Sequence, residues 1–282
     1  MKYKVTKIVS GIYTVSNGTE ILQIPAAGKL RYFEQSPVVG DDVIVTNGVI
    51  TEILPQKNSF IRPKVANIDQ MIVFMSIEQP KFQPFLVDKY FAIIESKNIV
   101  PVLFITKTDL NPEYAAEIAS LYQDMQYRVE LIDNTNPDNY LPHLENLFDG
   151  KYSVFMGQSG VGKTTTLNAL GEHNFLTQEI SKALGRGKHT TRVVSIINFK
   201  DGYLIDTPGF SSLTLDMDKE ELAKSFKVFR KLSNYCKFRN CLHLNESLQD
   251  CAIKQQVGSK LIPQIRYNNY IKLLDEITNG RK

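Results

Sequence analysis

Cysteine is scarce in this sequence: three residues in 282, all lying between positions 236 and 251. So few, so clustered, they cannot form a disulfide scaffold, and a reducing, cytoplasmic setting is expected. Long hydrophobic runs are missing too; Met71 to Ile77 and Val100 to Ile105 fall far short of the about 18 apolar residues that span a bilayer. No membrane association is expected. The opening Met1-Lys2-Tyr3-Lys4-Val5-Thr6-Lys7 alternates instead of building the apolar block of a secretion signal, so export is not expected. Repeats and low-complexity tracts are absent, and no compositional excess marks a fibrous or disordered chain. With 43% hydrophobic and 22% charged residues, the chain can build a globular core in roughly two domains' worth of length. A monomer is the default assembly.

The net charge of +3 conceals an uneven distribution. Residues 1–63 carry 7 Lys and Arg against 5 Asp and Glu, residues 64–211 carry 13 against 17, and residues 212–282 carry 13 against 8. Basic ends around an acidic middle suit a polyanion partner, although ordinary solvated faces reach similar balances.

Patterning supports the same three segments. Residues 1–63 read as short alternating strands with turns at Asn17-Gly18 and Asn47-Gly48, a hairpin around the second, and enough strands for a small β-barrel, an OB-fold or an SH3-like barrel. Residues 64–211 alternate apolar strands (Gln70 to Ile77, Val100 to Thr106, Arg128 to Ile132, Lys151 to Met156) with helical stretches (Pro84 to Lys97, Pro112 to Met125, Leu141 to Phe148), predicting an α/β domain with parallel strands. Residues 212–282 read as mostly helical, with Lys219 to Tyr235 and Pro263 to Asn279 bracketing the cysteines.

Gly157-Gln158-Ser159-Gly160-Val161-Gly162-Lys163-Thr164 is a complete G-x-x-x-x-G-K-T between an apolar strand and a helical stretch that starts at Thr165. The glycines let backbone N–H groups converge on phosphate oxygens, Lys163 reaches the β and γ phosphates, and the Thr164 hydroxyl ligates Mg²⁺. Downstream, the strand ending at Asp206 runs into Thr207-Pro208-Gly209. Asp206 suits the metal shell, and Gly209 lets a backbone N–H approach the γ-phosphate. Upstream lies Thr106-Lys107-Thr108-Asp109 at a strand end. The Asp109 carboxylate can accept from guanine N1–H and N2–H₂, a donor pair adenine lacks, while the Lys107 stem lies along the base. Each motif has a duller reading as a chance turn or surface loop, which their co-occurrence weakens.

The base motif precedes the phosphate loop, the reverse of the usual GTPase order. Strand ends can assemble the same site from a differently cut chain. In this arrangement, and in Arg62-Pro63, Ala66-Asn67-Ile68-Asp69-Gln70, Gly185-Arg186-Gly187-Lys188-His189-Thr190-Thr191, Asp206 to Phe210 and Cys236 to Cys251, the sequence resembles the RsgA (YjeQ, YloQ) family of circularly permuted, ribosome-small-subunit-dependent GTPases. The resemblance covers essentially the whole chain. It implies an N-terminal OB-fold (1–63), a permuted P-loop GTPase domain (64–211) and a C-terminal zinc-binding domain (212–282). It also implies GTP hydrolysis to GDP stimulated by the 30S subunit, contact with 16S rRNA, and a role late in subunit maturation.

The chain departs from the usual motifs in two places. Thr106 stands where Asn is common, so bracing of the phosphate loop is either lost or carried by a hydroxyl. Ile132 to Asn136 lacks the Ser-Ala-like pair expected to contact guanine O6, and no base contact is assigned there. For hydrolysis, Phe210 occupies the place of a water-orienting Gln and cannot do that work. By resemblance to similar proteins His189 is the candidate for that role, the alternative being an exposed loop residue contacting RNA; Thr190 or Thr191 would close over Mg²⁺. A loop carrying both functions predicts slow intrinsic turnover and acceleration by a partner that orders it.

Cys236, Cys241, His243 and Cys251 form a Cys₃His set suited to structural Zn²⁺, and core cysteines have no reason to gather in so polar a stretch. Because the family's last interval is usually H-x₅-C, Asp250 and Glu246 are alternatives to Cys251. Lys237, Arg239, Lys254, Lys260, Arg266 and Tyr267 read as an RNA-facing set, with Lys2, Lys4, Lys7, Lys29 and Arg31 as a second. Two rival functions remain: a small-metabolite phosphotransferase, which has no need of Asp109, and a scaffold holding GTP without cleaving it.

Overall fold

The computed structural model describes residues 1–32, 36–171, 194–206 and 213–280, with only the backbone of Arg31 and Asp206. His189, Thr190, Thr191 and Gly209 lie outside the described residues. Two compact units emerge, one of residues 1–71, 141–156 and 163–211, the other of residues 72–140, 157–162 and 212–282.

The first unit begins with β1 (Lys2–Val9), β2 (Ile12–Ser16), β3 (Ile21–Pro25), α1 (Gly28–Tyr32), β4 (Asp42–Thr46) and β5 (Val49–Ile53). Strict alternation buries Tyr3 and Val5, Tyr13 and Val15, Val43 and Val45, and Leu30 of α1 joins them in one core. β1 pairs antiparallel with β2 and β4, β2 with β3 and β4 with β5, and a parallel bridge from Ala26 to Ile50 joins the end of β3 to β5. Ring closure in the order β1-β2-β3-β5-β4, with the helix between β3 and β4, is the OB-fold arrangement and decides against the SH3-like alternative. β6 (Ser59–Phe60) and β7 (Val65–Ala66) form a short ladder.

The segment after β7 is fixed by side-chain bonds to backbone. Asn67 donates to the Gly40 carbonyl (2.8 Å) and accepts from Lys57 N (2.8 Å), while Asn58 both donates to and accepts from the Ile68 backbone. Asp69 accepts from Tyr152 N (2.9 Å), and Gln70 donates to Leu147 O and Ser153 Oγ. The Ala66 to Gln70 motif is therefore a structural seam. It leads into β8 (Gln70–Ser76), buried along its whole length.

In the second unit β8 is followed by α2 (Pro84–Ser96), β9 (Val100–Thr106), α3 (Pro112–Asp124) and β10 (Arg128–Ile132), with strand order β10-β9-β8 and β9 parallel to β10. Proline at the first turn opens α2 and α3, and Asn111 caps α3 by accepting from Tyr114 N. The chain then returns to the first unit for β11 (Tyr152–Met156), α4 (Lys163–Leu170), β12 (Ser195–Phe199) and β13 (Gly202–Asp206). β11 runs parallel to β13, β12 antiparallel to β13, and β12 meets β1 at Lys7 and Ser195. The C-terminal part of the second unit holds α5 (Lys219–Ala223), α6 (Lys227–Ser233), α7 (Ala252–Gln256) and α8 (Gln264–Asn279).

Two expected helices differ. Leu141 to Phe148 holds only a 3₁₀ turn over Leu141–Leu144, the backbone closing in bonds three residues back, from Glu145 N to Pro142 O (3.4 Å) and from Leu147 N to Leu144 O (3.1 Å), in place of the four-residue helical spacing. Lys219 to Tyr235 is two helices, because the Ala223 carbonyl faces His243 Nε2 (3.2 Å) and Lys227 N donates to Glu95 (2.8 Å), with Phe226 extended between them. Among the described residues no helix is long and apolar enough to cross a membrane.

Candidate nucleotide site and metal centre

β11 feeds a loop, Gly157–Gly162, that the chain leaves by entering α4 at Lys163. Gly157 has φ of 147°, and a Cβ there would lie 2.5 Å from the Phe74 carbonyl of β8. No larger residue fits. Gly162 is at φ of 87°, with Asn134 and Thr106 beside it. Val161 is fully buried, while Ser159, Gly160, Thr164 and Thr165 are exposed and Gln158 is half-buried. Burial holds the Lys163 ammonium below the ordinary lysine value, a penalty that a bound polyphosphate would relieve.

The base motif sits at the end of β9. Thr106 is fully buried and its hydroxyl donates to the Val161 carbonyl of the loop at 2.6 Å, so the bracing is carried by the hydroxyl. Lys107 adopts a left-handed conformation (φ 56°) and donates through Nζ to the Gln79 carbonyl. Thr108–Leu110 forms a 3₁₀ turn that presents Asp109 to solvent. Base motif and Gly157–Gly162 thus meet within one unit although Thr106 and Val161 are 55 residues apart in sequence. Asp206 is the last residue of β13.

The metal centre is the most fully built group. One ligand atom from each of Cys236, Cys241, His243 and Cys251 lies within 4.8 Å of all the others. His243 Nδ1 is 3.2, 3.4 and 3.8 Å from the sulfurs of Cys241, Cys251 and Cys236. Tetrahedral zinc with Zn–S near 2.3 Å and Zn–N near 2.0 Å places such N···S pairs about 3.5 Å apart. The donor set and spacing fit. His243 Nε2 faces the Ala223 carbonyl, which leaves Nδ1 free for a metal. Burial pushes the Cys241 and Cys251 thiols up and the His243 imidazole down, so the pocket itself disfavours thiolates and leaves a cation to stabilise them. Glu246 is committed to Leu242 N and Leu244 N (2.8 Å each), and Asp250 to Lys237 and Ser247, which leaves Cys251 as the sulfur in place. Tyr267 and Tyr270 donate to the carbonyls of His243 and Leu242 (2.6 Å each) and buttress the loop.

The basic set around this centre is largely engaged within the protein. Lys237 pairs with Asp250, Lys260 with Asp124, and Lys254 reaches the carbonyls of Leu244 and Glu246. Arg266 requires a correction: it is 1% exposed, bridges to Asp88 at 3.1 Å and donates to Tyr127 at 3.1 Å, so it cannot face RNA. On the barrel, Lys2 and Lys4 pair with Asp42, Lys4 also lying over the Tyr152 ring, whereas Lys7 and Lys29 are exposed. Sequence reasoning missed Asp88, Glu95, Tyr122 and Tyr127, which surround Arg266. Their signal was two acids, seven positions apart, on one face of the apolar α2.

A phosphate loop braced by a base motif that precedes it in the chain, an OB-type barrel and a Cys₃His module together define a circularly permuted P-loop GTPase. The family model described as RsgA GTPase matches residues 53–216. The chain is 49% identical over 274 residues to the small ribosomal subunit biogenesis GTPase RsgA of Mycoplasmopsis pulmonis, covering 97% of this chain and 98% of that protein. Among solved structures it is similar to YloQ, a circularly permuted GTPase (TM-score 0.78, 33% identity, 100% and 96% coverage). It is also similar to YjeQ from Thermotoga maritima (TM-score 0.82, 30% identity, 99% and 98% coverage). The chain belongs to the RsgA GTPase family.

Proposed function

We propose that this GTPase acts on the small ribosomal subunit during its assembly, cleaving GTP to GDP and phosphate with stimulation by the subunit, as a cytoplasmic monomer. The observation that carries the GTPase half of this reading is the Thr106 hydroxyl on the Val161 carbonyl, which fastens a guanine-type motif to a phosphate loop. The ribosomal half is supported by the similarity to the small ribosomal subunit biogenesis GTPase of Mycoplasmopsis pulmonis. Residues 1–63, 64–211 and 212–282 serve as barrel, GTPase domain and zinc domain. The exposed Lys7, Lys29 and Arg239 are candidates for 16S rRNA contact.

In this reading Gly157, Gln158, Ser159, Gly160, Val161, Gly162, Thr164 and Thr165 hold the phosphates through backbone and hydroxyl groups, and Lys163 neutralises the β and γ oxygens. Thr106, Lys107 and Asp109 hold guanine, and Gly209 approaches the γ-phosphate. Thr164, Asp206 and Thr190 or Thr191 offer hard oxygen donors for Mg²⁺, which supplies charge neutralisation when bound. His189 orients the attacking water. Cys236, Cys241, His243 and Cys251 hold a structural Zn²⁺. Single-turnover GTP cleavage with and without purified 30S subunits tests the proposal: acceleration supports it, phosphate transfer to a metabolite supports a kinase, and no cleavage in either case supports a scaffold.

A further inference from the structure

The loop after β10, which lacks a Ser-Ala-like pair for guanine O6, is closed by its own side-chain bonds and leans on the phosphate loop. Asp133 accepts from Thr135 N (2.8 Å), Thr135 Oγ1 (2.5 Å) and Asn136 Nδ2 (2.8 Å), closing a tight turn around Asn134. The Tyr140 hydroxyl, on a side chain 2% exposed, donates to Asn134 Oδ1 at 2.9 Å. That bond fixes which end of the amide faces which neighbour, and it directs Nδ2 toward the phosphate loop. A Cβ added at Gly162 would sit 3.4 Å from Asn134 Nδ2 and 3.7 Å from Thr106 Oγ1. Burial and the charge of Asp133 push the Tyr140 hydroxyl up to about 12, so it stays a donor throughout the neutral range.

We propose that Asn134, oriented by Tyr140, is a positioning residue for the phosphate loop, a second brace beside Thr106. Gly157, Gly160 and Gly162 all sit at positive φ, and a loop so rich in glycine visits many conformations that do not converge its N–H groups. The apparent affinity of a site falls with the fraction of molecules in the competent arrangement, so a brace strengthens phosphate binding without touching the nucleotide. Thr106 holds the loop at the Val161 carbonyl; Asn134 holds it one residue later, immediately before Lys163. This inference rests on the nucleotide-site reading above.

The test is calorimetry of GDP, and of the diphosphate of 2-aminopurine riboside (which lacks O6), on the full-length zinc-loaded protein. Asn134→Ala weakens both ligands by the same factor, about five- to tenfold, the scale of one neutral hydrogen bond. Asn134→Asp keeps the acceptor for Tyr140 but replaces the donor with a negative charge beside the phosphate loop, so it binds both ligands at least as weakly as the alanine variant. Tyr140→Phe weakens both ligands less, and adding it to Asn134→Ala costs nothing further, because Tyr140 acts only through Asn134. Unchanged GDP affinity in Asn134→Ala overturns the proposal, as does a loss confined to GDP, which would make Asn134 a contact to the base. Should Asn134→Ala fail to fold, judged by zinc content and thermal midpoint, Tyr140→Phe carries the same test. Lys163→Ala serves as the control on the site itself: undiminished GDP affinity there removes the nucleotide-site reading, whereas a loss there with unchanged affinity in the Asn134 and Tyr140 variants removes only the brace.

Discussion

Replacing Arg266 by Met destabilises the protein far more than its place in a basic, polar sequence would indicate. The guanidinium carbon lies 4.5 Å from the Phe226 ring centroid, 5.1 Å from Tyr127, 5.8 Å from Tyr122 and 5.9 Å from Phe91, in a box that excludes water. Among the described residues its direct counter-ion is Asp88, 2% exposed, which also accepts from Tyr122 Oη (3.0 Å) and Asn269 Nδ2 (2.7 Å). Methionine fills much of the volume and keeps the aromatic packing, but it strands the carboxylate. Removing one partner of a buried pair costs about 3–5 kcal/mol, whereas replacing both partners is often close to neutral. Asp88→Asn combined with Arg266→Met should therefore recover most of the loss. Burial already holds the Asp88 carboxyl above its ordinary value despite Arg266, and loss of the cation raises it further. A carboxyl whose folded value lies above its unfolded one contributes stability below the unfolded value and loses it as pH rises through the folded one. The deficit of Arg266→Met relative to the parent thus grows once pH climbs past the parent's own folded Asp88 value, itself above the ordinary carboxylate range, because there the parent stops losing stability and the variant does not. Urea unfolding followed by far-ultraviolet circular dichroism measures it, since the chain contains no tryptophan. A midpoint no lower than that of the exposed Lys231→Met control, or a double variant as unstable as the sum of the singles, would refute the reasoning.

Thr106→Val keeps the shape of the side chain but leaves the Val161 carbonyl without its 2.6 Å donor. Affinity for GDP should fall roughly tenfold, the cost of one unsatisfied buried acceptor, and Thr106→Ser should restore it, both read by calorimetry. Asp109→Asn exchanges an acceptor for a donor, so guanine nucleotides should bind at least about a hundredfold more weakly while xanthine nucleotides gain. Competition between the two nucleotide diphosphates measures the switch. Stripping the metal with a chelator should melt α5 to α7, because three sulfurs and His243 share one centre and His243 also ties to Ala223; loss of helical signal, reversed by added zinc, is the expected result. His189→Ala should leave GDP affinity unchanged while abolishing the subunit-stimulated part of GTP turnover, followed by phosphate release.

The phosphate loop was legible because a backbone shape there demands particular residues. Gly157 is forced by its φ and by the Phe74 carbonyl, so the phosphate loop can be spelled in only a few ways. The barrel was legible as a pattern of alternation, but its closure was not, because the Ala26 to Ile50 bridge that separates the OB-fold from its rival is a pairing and leaves no composition signal. Arg266 is hidden from a charge count for a different reason: helix register, not composition along the chain, decides where its side chain goes. Arg266, Asn269, Tyr270, Leu273, Leu274 and Ile277 are buried at the spacing i, i+3, i+4, i+7, i+8 and i+11, so the arginine occupies the head of an apolar stripe. A charge on such a stripe must find a buried partner, and the acids on the buried face of α2 at positions 88 and 95 are that partner. The break between α5 and α6 has no comparable signature. It arises where His243, twenty residues further on, meets the Ala223 carbonyl and where Glu95 meets Lys227 N. The same two bonds join the metal centre and the Arg266 box to one short stretch of backbone, residues 223–227. A disturbance at either group therefore reaches the other through that stretch, and the C-terminal module should lose its structure as a single cooperative step.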